Sequence, residues 1–342
     1  MSHKPLFVGV DVGGQSIKAG VVTDVGHPLS CIDLPTEADQ GQEHGLEQMA
    51  RAVEKAVATA QLTLADLAGI GVATPGTMDI HFGVILDPPN LKPWKNVPVR
   101  QFIQERFHLP TAFQNDANAA AFGEYWAGAG RGSRSLVLFT LGTGIGCGII
   151  VNDLIIEGVH SHGAEVGHIV IQMENGRMCG CGQPGHLEAY ASARAVVKRA
   201  KEALRANNDT SLLRQQLPAD ALATDEEEET REARWCSLVF SAAVAGDILA
   251  ERLVDQTAYA LAIGAVNMMH TIDPDTVLFG GGMISTGDWF LERIQHYIRK
   301  HAFPVPAAKA RIAYAELGGS AGYIGAAGCA HRAWLRSQRA FE

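Results

Sequence analysis

Cysteine and histidine crowd one short stretch of this sequence. His168, Cys179, Cys181 and His186 all lie within residues 168–186. Two thiolates and two imidazoles suit a tetrahedral divalent ion of borderline softness, zinc before others. Four protein ligands fill a tetrahedron, so such a site would be structural, with no position left for water or substrate. Core packing accounts for one His or Cys of this kind and accounts poorly for four together. The C-x-C spacing is the less standard part of the pattern. Glu165 and Glu188 flank the cluster. Their charges could simply be solvated, or could accept hydrogen bonds from the hydroxyls of a polyol.

Three glycine turns offer phosphate chemistry. Asp11-Val12-Gly13-Gly14-Gln15-Ser16-Ile17-Lys18 ends one apolar run and starts the next. Glycines there let backbone N–H groups approach a phosphate without a side-chain clash. An acid at the strand end, Asp11, can sit near a phosphate-bound Mg²⁺ through water. An ordinary hairpin with an incidental Asp reads equally well from this stretch alone. Gly142-Thr143-Gly144-Ile145-Gly146-Cys147-Gly148 repeats the chemistry. It is no dinucleotide fingerprint, because Cys147 stands where the third glycine belongs, and no G-K-[ST] occurs in the chain. Gly280-Gly281-Gly282 follows a further strand, where bare backbone could admit a flat adenine. The three together favour a nucleotide.

Asn115-Asp116 sits at a strand end that opens an Ala-rich helix. Open α/β sheets bind ligands at that edge. Asp116 reads either as the helix N-cap or as a general base, taking the proton of a hydroxyl that attacks phosphorus.

The elements that must position these residues alternate between strand and helix, the α/β signature. Strands are expected at Leu6–Asp11, Ala19–Thr23, Gly69–Ala73, Thr111–Gln114, Ser135–Leu141, Gly146–Val151, Thr276–Phe279 and Arg311–Glu316. Helical spacing begins at Leu46; a long helix spans Gly246 to about His270, and a closing one Ser320 to about Arg336. The strand, glycine turn, strand unit occurs twice, which points to a duplicated architecture facing one nucleotide. Residues from about 207 to 234 are polar and include the acidic run Glu226–Glu229, read as a solvated loop or helical insertion.

Composition agrees with a soluble chain of 342 residues, 47% hydrophobic and 19% charged, with two domains the better expectation. A net charge of -9 gives no footprint for nucleic acid or anionic membrane. The N-terminus lacks a signal-peptide pattern and no apolar run suffices to span a bilayer, so a cytoplasmic location is expected. Six scattered cysteines fit reduced thiols better than a disulfide framework.

With these motifs in view, the chain resembles the ROK family (repressors, open reading frames and sugar kinases), and within it the zinc-containing glucokinases. The resemblance rests on DVGGQSIK at 11, QNDANAAAFGE at 114, LGTGIGCG at 141, GAEVGH at 163 followed by CGCGQPGHLE, FGGG at 279 and the closing GGSAGYIGAAG. It implies a duplicated actin-like ATPase, ribonuclease H-like α/β fold with two lobes and a central cleft. The smaller lobe would comprise residues 1–116 with 320–342, and the larger residues 117–319 with the zinc site. It implies ATP-dependent phosphorylation of the 6-hydroxyl of glucose, with Mg²⁺ and structural zinc. Asp116 would be the base, and Gly76, Asn90, Asn115, Glu165, His168 and Glu188 sugar positions, His168 using its second ring nitrogen. Asp11, Gly13, Gly14, Gln15, Lys18, Gly142, Thr143, Gly144, Gly281 and Gly282 would hold the nucleotide and its metal. Such kinases commonly pair, so a homodimer or homotetramer is expected. Two positions depart from the family pattern: Gln15 replaces Thr in the phosphate turn, and His186 replaces a third cysteine. Family repressors carry a helix-turn-helix ahead of the kinase-like body, and the start of the phosphate turn at Asp11 argues against one. A non-catalytic sugar-binding protein is disfavoured by the presence of Asp116. A kinase for N-acetylmannosamine, N-acetylglucosamine, fructose, mannose or allose stays open, because such substrates differ at single groups that are read by geometry.

Overall fold

The structure is a computed structural model and describes residues 4–88, 90–206, 211–216 and 229–339. Twelve strands occur among these residues: β1 (Leu6–Val12), β2 (Ser16–Thr23), β3 (Ile32–Pro35), β4 (Leu67–Thr74), β5 (Met78–Asp79), β6 (Val84–Ile85), β7 (Thr111–Asn115), β8 (Ser135–Leu141), β9 (Ile145–Val151), β10 (Leu154–Ile155), β11 (Thr276–Gly280) and β12 (Arg311–Tyr314). The helices are α1 (Gln42–Thr59), α2 (Val99–Phe107), α3 (Asp116–Ala127), α4 (Glu188–Ala191), α5 (Ala193–Ala206), α6 (Leu212–Gln216), α7 (Glu229–Val244), α8 (Ile248–Ile272), α9 (Asp288–His301), α10 (Pro304–Lys309) and α11 (Ala321–Arg339). None is long and apolar enough to cross a membrane.

The expected duplication is present in the topology. One sheet runs β3-β2-β1-β4-β7 and another β10-β9-β8-β11-β12. Numbered within its own sheet, each has the order third, second, first, fourth, fifth. Each begins with a glycine turn: Gly13 N–H donates to the Ser16 carbonyl at 2.8 Å, and Gly142 N–H to the Gly144 carbonyl at 3.0 Å. In each, the fourth and fifth strands run parallel.

The chain divides into two compact units. The first comprises Met1–Leu138, Gly148–Ala164 and Ala315–Glu342, and the second Phe139–Cys147 and Glu165–Tyr314. The first unit extends beyond the expected junction at 116/117 because α3 packs along α11. Its central strands β1 and β4, which pair in parallel, are buried on both faces. On one face Val8, Val10, Ile17 and Val72 meet Met49 and Val53 of α1 and the buried Trp94. On the other, Phe7 and Val22 meet Tyr323, Ile324 and Ala327 of α11. This second layer is unusually thin. A Cβ at Gly71 would lie 1.8 Å from the Ala326 carbonyl oxygen, and one at Gly325 would lie 1.6 Å from that of Ala119. The small residues of the closing helix therefore let its backbone touch both the sheet and α3. The far end of α3 is tied down by Glu124, which is fully buried. Its carboxylate accepts N–H groups from Ala129 (2.8 Å), Glu316 (3.1 Å) and Leu317 (2.7 Å), where the chain re-enters this unit.

In the second unit, β11 is buried throughout, and Phe279 stacks on Phe139 at 5.3 Å. The long helix α8 starts at Asp247, which caps it by accepting the Ala250 N–H, and its buried side includes Leu253, Val254 and Leu261. Much of the polar stretch expected near 207–234, including Glu226–Glu228, lies outside the described residues; α7 begins at Glu229.

Overpacking a closed core commonly costs about 1–3 kcal/mol, and backbone contact leaves little room to relax. Gly325→Ala is therefore expected to lower stability by about 3 kcal/mol. Urea unfolding followed by circular dichroism checks this.

Candidate active site

Three neighbouring strands of the first unit bring the expected chemistry to one edge. β4 pairs in parallel with β1, placing Asp11 beside Ala73, and with β7, placing Thr74 beside Asn115. The strands thus end together at Asp11, at the turn containing Gly76, and at Asn115-Asp116. Carboxyl ends of strands in open α/β sheets are the usual ligand edge.

The cap of α3 is Asn115, not Asp116. The Asn115 Oδ1 accepts the N–H groups of Ala117 (3.0 Å) and Asn118 (3.1 Å). Asp116 Oδ1 also accepts the Ala117 N–H, at 2.8 Å. Asn115, an expected sugar position, spends its carbonyl on the cap and keeps its NH₂ donors. Behind this turn stands a network that sequence reasoning missed. Gln114 is buried; its Nε2 donates to Glu157 Oε1 at 2.8 Å, and its Oε1 accepts the Asn115 N–H (2.8 Å) and Asn118 Nδ2 (3.2 Å). The sole hint was a polar Gln inside an apolar strand.

The Asp11 carboxyl lies at the first turn of α11, where a Cβ at Gly322 would fall 2.1 Å from its Oδ2. Burial pushes this carboxyl from 3.8 up to about 7; the Asp116 charge adds to the rise, and Lys18 opposes it. Two neighbouring carboxylates that repel each other in this way are a natural place for a divalent cation, which would favour the ionised form of both. The phosphate turn is held from behind: the Thr36 hydroxyl donates to the Gly13 carbonyl at 2.7 Å and the Thr36 N–H to that of Gln15 at 3.0 Å. Lys18 Nζ reaches the Gly319 carbonyl at 3.4 Å. Asn90 lies against this turn, its carbonyl oxygen 3.0 Å from where a Gly14 Cβ would be.

In the second unit, Glu188 is bound to the glycine turn. Its Oε2 accepts the Ile145 N–H at 2.9 Å and would lie 2.5 Å from a Cβ at Gly144. Its Oε1 accepts from the Cys179 thiol at 3.6 Å. It is thus a half-buried, engaged carboxylate rather than a solvated one. Gly281 packs on the end of β8, a Cβ there falling 2.4 Å from the Leu141 carbonyl oxygen, and around Gly282 the space is open. Glu165 is exposed, and its carbonyl accepts the His168 N–H at 3.0 Å.

His168, Cys179, Cys181 and His186 converge, with their ligand atoms all within 4.8 Å of one another. Cys179 Sγ is 3.7 Å from His168 Nδ1, and Cys181 Sγ is 3.2 Å from His186 Nδ1. The edges of a tetrahedral zinc shell with nitrogen and sulfur ligands measure about 3.3–3.8 Å, so the donors fit. With Nδ1 of His168 turned into the cluster, its Nε2 is the nitrogen left for another partner. Burial pushes the Cys179 thiol up to about 12, so a cation is what would deprotonate it at neutral pH. A cross-strand bridge pairs Val170 with His186, and Cys179 N–H donates to the Gln183 carbonyl at 2.9 Å, which brings the ends of the loop together.

The model of the ROK family matches residues 7–333. The chain belongs to the ROK family. Among ROK proteins, it is 34% identical to a glucokinase of Halalkalibacterium halodurans over 319 residues, 93% of each chain. A ROK hexokinase from Thermus thermophilus superposes with a TM-score of 0.79 at 32% identity, covering 98% of this chain and 99% of that one. A ROK glucokinase from Streptomyces griseus, solved with glucose and AMPPNP, gives 0.75 at 32% identity, covering 96% and 99%. The two duplicated α/β sheets are accordingly those of the actin-like ATPase fold expected from the sequence.

The raised Asp11 pKa has a consequence for stability. A carboxyl whose folded pKa exceeds its unfolded value contributes most below about 4, and that contribution is lost as pH rises through about 7. Without ligands, Asp11→Asn should therefore gain stability relative to the parent between pH 5 and pH 8. Urea midpoints of both proteins across that range check it.

Proposed function

We propose that this ROK protein is an ATP-dependent kinase that phosphorylates the 6-hydroxyl of glucose, with Asp116 as general base. The observation that carries this reading is the edge where Asp11 and Asp116 meet at the ends of adjacent strands, on a fold shared with a glucokinase solved with glucose and AMPPNP. Asn115 takes the helix cap, and the Asp116 carboxylate, at the strand edge beside Asp11, is the group that would remove the proton of an attacking hydroxyl. The turns containing Gly13, Gly14 and Gln15 and Gly142, Thr143 and Gly144 present backbone N–H groups to phosphate, with Lys18 nearby and Gly281-Gly282 beside the adenine. Asp11 would hold Mg²⁺, which neutralises charge on the transferring phosphoryl group. Gly76, Asn90, Asn115, Glu165, His168 and Glu188 read the sugar. The four-ligand cluster would hold zinc, whose role is to fix the loop bearing these residues. Reduced cysteines fit a cytoplasmic setting, and by family analogy the protein assembles as a dimer or tetramer.

Two variants test the roles. Asp116→Asn should lower kcat by about 10²–10⁴ while ATP affinity and folding are kept; near-normal turnover of glucose would remove Asp116 as base. A panel of hexoses and N-acetylhexosamines, run beside it, should give the highest kcat/KM for glucose. Tenfold preference for another sugar, about 1.4 kcal/mol, would overturn the specificity and leave the kinase reading intact.

Cys179→Ser should lose the metal and raise the KM for sugar more than that for ATP. His186→Cys should retain both metal and activity. Metal analysis with steady-state kinetics checks both, and full zinc occupancy in His186→Ala would remove His186 from the ligand set.

A further inference from the structure

A cavity of about 730 Å³ in the first unit is lined by none of the residues assigned above to nucleotide, sugar or metal. It lies along β7, the last strand of its sheet, against the second half of α11 and the segment 155–161. A volume of this size suits a metabolite-sized ligand. Three guanidinium groups, those of Arg100, Arg332 and Arg336, line it with a single carboxylate, Glu157. In this lining the arginines outnumber the carboxylates by two.

Carboxylates act on these cations from nearby without close pairing, Glu157 and Asp79 on Arg100 and Glu157 and Asp153 on Arg332. No ion pair engages any of the three among the described residues. Arg100 is anchored by donating to the carbonyls of His81 and Ile80, each at 2.6 Å, and its Nε is buried without a partner. Arg332 is half-buried and lies over the Phe122 ring, 5.9 Å from the centroid. Burial, and then the neighbouring Arg336 charge, lower its proton affinity. Arg332 and Arg336 stand four residues apart on α11, hence on one face, and both line the cavity; each guanidinium offers a planar fork of donors that suits phosphate. The polar lining from Thr111, Gln114 and Ser161 suits a hydroxylated body.

We propose that this cavity is a regulatory site for a small phosphomonoester, its dianionic phosphate held by Arg332 and Arg336. The site has a physical link to the strand edge. Glu157 receives the Gln114 amide, and Gln114 in turn holds the Asn115 N–H and the Asn118 side chain at the start of α3. A ligand that draws Glu157 away changes the support beneath Asn115-Asp116. This last step rests on the kinase reading; binding itself does not.

Calorimetric titration of the intact protein with inorganic phosphate and, separately, with glucose 6-phosphate tests the site, with saturating glucose present throughout so that the proposed sugar site is occupied. The Arg332→Gln/Arg336→Gln double variant serves as the comparison. The expected result is binding that weakens tenfold or more in the double variant, about 1.4 kcal/mol, with glucose KM unchanged in the absence of effector. Tighter binding of glucose 6-phosphate than of phosphate would show that the body is read as well as the charge. Equal binding by both proteins, or no binding by either, overturns the proposal. Arg336 is exposed, so Arg336→Gln alone carries the test if the double variant is unstable; it should weaken binding about threefold. Because the titration requires no turnover, failure of the site and failure of the kinase reading give different results.

Discussion

Direct backbone contact between the closing helix and its neighbours is the constraint on which the first unit depends. α11 lies so close to β4 that a methyl group at Gly71 would overlap a carbonyl of the helix, and so close to α3 that one at Gly325 would do the same. Helices usually stand about 8–10 Å apart, separated by side chains. Here glycine and alanine remove that spacer, and two functional elements are fixed by the same helix. Its first turn meets the Asp11 carboxylate. Its flank holds α3, which opens with Asp116. The spacing of the two carboxylates is therefore a matter of helix packing.

A second constraint works from behind the strand edge. Buried polar groups need partners, and a satisfied network rigidifies its surroundings. Glu157, Gln114, Asn118 and the Asn115 N–H are linked by hydrogen bonds in this way, although the buried Asn118 Oδ1 has no partner among the described residues. The Asp116 side chain joins the same turn, its Oδ1 accepting the Ala117 N–H. Glu188 plays a comparable part in the second unit, where one carboxylate touches both the glycine turn and Cys179. The loop bearing Cys179 and the glycine turn at Gly144 are thereby joined through one side chain.

Much of this could be read from the residues. β-branched runs ending in glycine marked β1, β8 and β11, and the recurrence of strand, glycine turn, strand pointed to a duplicated architecture, which the two sheets of equal strand order carry. The convergence of His168, Cys179, Cys181 and His186 was legible because few other demands crowd His and Cys together. What the sequence did not reveal depends on tertiary partners. Nothing local distinguishes Asn115 from Asp116 as the cap, since both residue types cap well. Gln114 and Glu157 lie far apart in sequence, and their hydrogen bond appears only when β7 meets the segment that follows β10. The unit boundary was placed too early for a similar reason: α3 belongs with a helix whose sequence lies some two hundred residues later.

That separation has a consequence for biogenesis. The first unit is discontinuous, and α11 is synthesised after every other element described here. Until residues 321–339 leave the ribosome, the faces of β1 and β4 that α11 will cover, including Phe7, lack the helix that completes their burial. The second unit is fully translated before then and has its own buried sheet and helices. Domains generally fold as units during synthesis, and exposed apolar surface in the interval invites association. Glycines that make the finished contact so close also make the waiting surface less apolar than a Val- or Leu-lined one. The same residues thus serve the packed helix and the nascent chain that precedes it.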